Sequence, residues 1–196
     1  MMISPEEFNE QRLKGKSKEE ILVVIDELKT QIASLKKDIE KSNYFEKEFL
    51  IQPSEDVQIS MNREYLERAK IAYAEVGGKY NPSIMELADQ KFNANIQNIT
   101  KIEIEKGSYI GPKDDKTLVV SEMTDADRET FLNALKDFHI GEWRKNYNAY
   151  NYGVWILDGD FWDLKISFSN SPTQVTFHGS NAYPYNFDQL LELFEI

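Results

Sequence analysis

Only two imidazoles are present for proton transfer or metal binding, His139 and His178, and there is no cysteine. The chain therefore has no disulfide, no thiolate nucleophile and no Cys-ligated zinc. His139-Ile140-Gly141-Glu142 has the spacing of half a di-iron site, but that chemistry needs the motif twice, with further carboxylates. The stretch follows a helix end, where a cationic histidine favours the last carbonyls, so a structural role is expected and no metal. Asp158-Gly159-Asp160 with Asp163 invites a calcium reading. A calcium loop needs oxygens at alternate positions and a closing bidentate glutamate, whereas Phe161 and Trp162 interrupt this one; a turn with acidic ends fits better. No G-x-S-x-G elbow, Walker loop, G-x-G-x-x-G or H-E-x-x-H occurs. Paired carboxylates for glycoside hydrolysis need two acids in one cleft, and nothing in the sequence selects a pair. No catalytic residue and no cofactor is expected.

The strongest anomaly is aromatic density. Residues 143–196 hold thirteen of the twenty-four aromatics, including all three tryptophans. Trp162 and Phe168 share a strand face, and Phe187 and Phe194 share a helix, so these are core. Trp143, Tyr147, Tyr150, Tyr152, Tyr183 and Tyr185 fall in loop-like sequence, with Asp158 and Asp160 nearby. Tyrosine offers a large contact area at low entropy cost, so these eight residues are the candidate partner-binding surface. The competing reading lays the loop down so that its rings cover the sheet edge.

Charge limits the partners. The formal net charge is −11, and residues 98–196 carry 9 basic and 16 acidic side chains, a net −7. Such a surface repels phosphate backbones, which argues against nucleic acid, and it suits a basic protein partner through electrostatic steering. Acidity that merely keeps the protein soluble is the plainer alternative. The longest apolar run, Ile21–Ile25, is too short for a bilayer, and MMISPEEF lacks the features of a secretory signal. A cytoplasmic protein with no membrane contact is expected.

These residues have to be positioned by an α+β chain of two regions. Residues 1–97 read as helical, with helices near 5–13, 18–41, 62–76 and 84–95. Ser4-Pro5-Glu6-Glu7, Ser17 to Glu20 and Ser83 to Glu86 are capping boxes. Ile21, Ile25, Leu28, Ile32, Leu35 and Ile39 are spaced as a heptad seam, a short coiled coil in need of a partner. That partner is either the helix carrying Tyr65, Leu66, Ala69 and Tyr73 or the same seam on a second copy, giving a homodimer.

Residues 98–196 read as ββαβββα with about five antiparallel strands. Ile99–Lys106 alternates as a half-buried strand, Gly111–Lys116 reads as a turn, and Thr117–Met123 as the return strand. Thr124 and Asp127 cap a helix through Phe131, Leu132, Leu135 and Phe138. Val154–Leu157 and Phe161–Ser169 read as a hairpin across Asp158-Gly159. Asn170–Thr173 turns into Gln174–His178, and Asn186 with Gln189 caps the last helix. Between these, Gly179–Phe187 reads first as a joint, with Tyr183 and Tyr185 left without a local duty.

Trp162-x-Leu164-x-Ile166-x-Phe168-Ser169, followed by Gly179-Ser180-Asn181-Ala182-Tyr183-Pro184-x-Asn186-Phe187-x-x-Leu190, resembles an uncharacterised family of small bacterial proteins. In that family a similar strand pair and joint end the chain; His139–Trp143 is similar too. The resemblance covers about residues 98–196. It implies a soluble α+β module of bacterial origin and supplies no catalytic residue.

Three classes of function follow. The leading one is a non-enzymatic interaction protein, of immunity or accessory type, that binds a basic partner through residues 143–160 and 179–186. The second is a small-ligand protein or hydrolase in which two of Glu142, Asp158, Asp160 and Asp163 converge in a cleft. The third is a structural protein that dimerises through the 21–39 seam.

Overall fold

The computed structural model describes residues 3–42, 53–156 and 158–195. Contacts within the chain divide it into two compact units, Met1–Asn81 and Pro82–Ile196. Six α-helices and a five-stranded sheet occur among the described residues, so the chain is α+β. No helix among them is long and apolar enough to cross a membrane.

Local capping chemistry sets the helix starts of the first unit. The Glu7 backbone N–H donates to Ser4 Oγ at 3.1 Å and the Ser4 N–H to Glu7 Oε2 at 3.0 Å, which opens α1 (Pro5–Phe8). The helix runs on through a π-helical turn, Asn9–Leu13, to Gly15, whose left-handed backbone (φ +73°) needs no Cβ. Ser17 and Glu20 form the same reciprocal pair before α2 (Lys18–Ser42). Packing then uses the seam. Ile21, Ile25, Leu28 and Ile32 are buried, Leu35 and Ile39 half-buried, and α2 lies against α3 (Glu55–Glu75) of the same chain. The first four side chains are thus already covered within one copy. Helix α3 begins seven residues before the expected Asn62. Ser54 makes no side-chain capping bond and Val57 stands where a capping box needs Glu or Gln, so only the weaker signal of a serine before Glu55 and Asp56 marks this start. Phe8 stacks on Tyr65 with ring centroids 4.3 Å apart.

The second unit begins with α4 (Ile84–Ala94), capped by Ser83 and Glu86. The boundary expected at residue 97 falls instead after residue 81. The cause is packing: Phe92 meets Phe168 edge-to-face at 6.2 Å, which ties α4 to the sheet. The sheet order is β2-β1-β4-β5-β3. Strand β1 (Ile99–Ser108) pairs antiparallel with β2 (Lys113–Leu118) and β4 (Asp160–Phe168). Strand β5 (Ser171–Ser180) is antiparallel to β4 and parallel to the short β3 (Asn146–Asn148). The sheet is therefore mixed rather than antiparallel throughout.

Ile102, Ile104, Trp162, Leu164, Ile166 and Phe177 fill the buried face. Helices α5 (Asp125–Asp137) and α6 (Phe187–Phe194) lay Phe131, Leu132, Leu135, Leu190 and Phe194 into the same core.

Three local expectations differ from the structure. The return strand is Lys113–Leu118, not Thr117–Met123, because Val120 is drawn into the core by a 3-10 turn, Val120–Glu122. Residues 154–156 form no strand, and residue 157 lies outside the described residues; the short strand comes earlier, at Asn146–Asn148. Asp158-Gly159 is accordingly no hairpin turn: Gly159 C=O accepts from the Tyr109 N–H at 3.0 Å. Asn186 does not cap α6 through its side chain. Its Oδ1 accepts from Trp143 Nε1 at 3.1 Å and its Nδ2 donates to Phe138 C=O at 2.8 Å, so a buried indole claims it.

Candidate functional site

Phe92 of α4 and the apolar sides of α5 and α6 are buried with the inward face of the sheet, and the opposite face carries charged side chains. Alternation along each strand turns Glu103, Glu105 and Gly107 of β1 away from the core, with Phe161, Asp163 and Lys165 of β4. Strand register then sets them in rows. Asp115, Glu105, Asp163 and His178 stand directly opposite one another across β2, β1, β4 and β5. Lys113, Gly107, Phe161 and Ser180 form the neighbouring row. Like charges facing across a ladder destabilise it, so three carboxylates in one row need cations beside them. Lys113 Nζ reaches Glu105 Oε1 at 2.8 Å, and His178 Nδ1 hydrogen-bonds to Asp163 Oδ1. The bond and charge of Glu105, with Asp163 nearby, hold the Lys113 ammonium above its ordinary pKa.

A groove of about 540 Å³ opens over these rows. Asp163, His178 and Lys113 line it, with Tyr109 and Phe161 as an aromatic wall, their ring centroids 5.5 Å apart. Asn146 and Asn148 of β3 close the far side. A smaller depression of about 360 Å³ shares Lys113 and Asp163 and continues over Glu103, Glu105 and Asp115. Ser180 Oγ accepts from Tyr109 OH at 3.3 Å, and no hydroxyl is bonded to either histidine among the described residues, so no nucleophile–base pair is assembled.

The eight residues expected as a contact surface scatter. Trp143 and Tyr147 are buried. Trp143 packs edge-on against Phe177 at 5.6 Å and Trp162 at 6.3 Å, and Tyr147 OH accepts from the Arg144 N–H. Both are core, with only the rim of Tyr147 reaching the groove. Tyr152 OH is bonded to the Arg144 guanidinium. Tyr150 is exposed and meets the ring of Trp155 at 4.8 Å; Trp155 is 83% exposed. Their turn starts directly after Asn148.

Asp158 is exposed, and Asp160 lies at the start of β4, where its N–H donates to Asn181 Oδ1 at 2.7 Å. Asn181 adopts a left-handed backbone (φ 52°). Gly179 is obligatory, because a Cβ there would overlap the Trp162 indole, whose Nε1 donates to Ala182 C=O at 2.8 Å. Tyr183 packs on Phe187 at 5.2 Å. Burial, with the charge and hydrogen bond of Asp160, pushes its phenol up to about 12. Tyr185 is half-buried. Residues 179–187 are therefore a joint built around an indole. Of the four acids considered for hydrolysis, Asp163 alone lines the groove.

A second group of ionisable side chains lies where the 3-10 turn Ile140–Glu142 meets α4. His139 does not serve the end of α5; its Nδ1 hydrogen-bonds to Asp89 Oδ2 at 2.7 Å. Asp89 is 7% exposed, and Asn93 Nδ2 donates to the same Oδ2 at 3.1 Å. Asp89 Oδ1 and Asn93 Oδ1 are buried with no protein donor. A buried acceptor left bare costs on the order of 1–3 kcal/mol. Gly141 permits the close approach, since a Cβ there would run into Asp89 Cα and Ala88 C=O.

The sequence missed Asp89, Glu105, Lys113, Tyr109 and Phe161. Alternation in 161–169 already turned Phe161 and Asp163 outward, but only the register shows what stands beside them. Comparison with family models, curated proteins and solved structures finds no match to this chain.

Proposed function

We propose that the second unit is a protein-binding module, of immunity or accessory type, whose uncovered sheet face takes up a basic segment of a partner. The observation that carries this reading is the Asp115–Glu105–Asp163 row, three carboxylates in register beside the Tyr109–Phe161 wall. An arginine or lysine side chain gains there from both carboxylate and ring, the two features that favour a cation on a surface. Lys113 and His178 hold the place in the free protein, and an incoming guanidinium exchanges with them. The contact surface is thus the sheet face with the exposed Tyr150–Trp155 pair at its border, in place of the 179–186 joint. A resident hydrolase is the weaker reading, because Glu142, Asp158 and Asp160 lie outside the groove.

The test is an amide-resolved NMR titration of the full chain with a short Arg/Lys-rich peptide. Shifts should concentrate on β1, β4 and β5 around Glu105, Asp163 and His178, and should fade as salt rises toward 0.5 M. Glu105→Gln with Asp163→Asn should weaken binding by about 10-fold or more. Salt-insensitive binding, or shifts confined to the first unit, would overturn the proposal.

A further inference from the structure

We propose that Asp89, His139 and Glu142 form a binding site for a divalent transition-metal ion, with zinc the best match. One ligand atom from each of the three lies within 4.8 Å of the others. Two observations independent of that proximity point to a cation. Asp89 is buried with Oδ1 lacking any protein donor, although its carboxylate is already turned to His139 through Oδ2. Asn93 Oδ1, one turn along α4, is in the same condition. Bare buried oxygens are acceptors, and a cation satisfies an acceptor where no N–H can reach. Gly141 lets the turn settle on α4, which brings His139 and Glu142 to Asp89.

The donor set decides the metal. One imidazole with two carboxylates gives a mixed nitrogen and oxygen shell, whereas magnesium and calcium prefer oxygen alone. Two carboxylates balance the charge of a divalent ion while the imidazole stays neutral. Tetrahedral zinc with bonds of about 2.0–2.1 Å holds its ligand atoms about 3.3 Å apart, so modest side-chain rotation closes the set. Three protein ligands leave a fourth position for water. Asn93 Nδ2, bonded to Asp89 Oδ2, is the outer partner that orients a ligating carboxylate. Glu142 stands half-buried.

The full chain, stripped with a chelator, is titrated with zinc chloride by calorimetry while the two histidine side chains are followed by nitrogen-15 NMR. One zinc per chain should bind, the His139 imidazole should shift, and the His178 imidazole should stay in place. Asp89→Asn and His139→Ala should each lower the affinity at least about 10-fold. If either variant fails to fold, the wild-type histidine spectrum still decides. No saturable one-to-one binding, a shift at His178 alone, or full affinity in His139→Ala would overturn the site.

Discussion

Two aspartate–histidine pairs occur among the described residues, and their surroundings differ in nearly every respect. Asp163 and His178 face each other across β4 and β5, on the uncovered side of the sheet, with side chains 31% and 50% exposed. Asp89 and His139 meet fifty residues apart in sequence, with Asp89 buried and one of its oxygens unmatched. The same two side chains therefore do different work. On the sheet the pair is partly exposed and stands in a row of carboxylates. Under the 3-10 turn it is a fixed arrangement whose polar demand exceeds what the protein supplies. Burial, and not residue type, separates the surface proposed to meet a partner from the site proposed to hold an ion.

The contrast can be broken at its foundation. Gly141→Ala places a methyl group against the α4 backbone and should cost about 3 kcal/mol in urea unfolding, with loss of the His139–Asp89 bond. A stability change near zero would show that the close approach of turn and helix is not a constraint. Next in size, Asp89→Ala leaves a partly buried imidazole without its acceptor and should cost about 2 kcal/mol. Asp163→Ala, at the exposed pair, should cost less than about 1 kcal/mol after screening. Equal losses at the two aspartates would erase the distinction.

A separate pH readout comes from another aspartate partner, Tyr183, whose phenol burial and Asp160 hold near 12. A phenol with its folded pKa raised keeps its contribution below about pH 10, the unfolded value, and loses it as pH rises through about 12. Absorbance titration should show one tyrosine ionising last, and Tyr183→Phe should remove it. A set of tyrosines that all titrate near pH 10 would contradict the buried setting of the joint.

What the sequence conveys follows the range of the interactions. The boxes at Ser4, Ser17 and Ser83 were legible because the bonds that make them span three residues. The inward face of β4 was legible because alternation is a local pattern. Helix α3's first turns were not, since Ser54 and Val57 make no box. Val120 misled because an apolar residue in a 3-10 turn looks the same as one in a strand. The candidate sites depend on longer reach. Glu105 and Asp163 become neighbours only through register, and Asp89 reaches His139 only once α4 packs beneath the turn. The loop-like sequence around Trp143 and Tyr147 suits a contact surface and a cover over the sheet alike, and only the fold shows both rings buried.

The most direct measurement is the histidine side-chain spectrum of the full protein during two separate additions. Zinc should move His139 and leave His178 unchanged, and the basic peptide should move His178 and leave His139 unchanged. A spectrum in which both additions act on the same histidine would contradict the account.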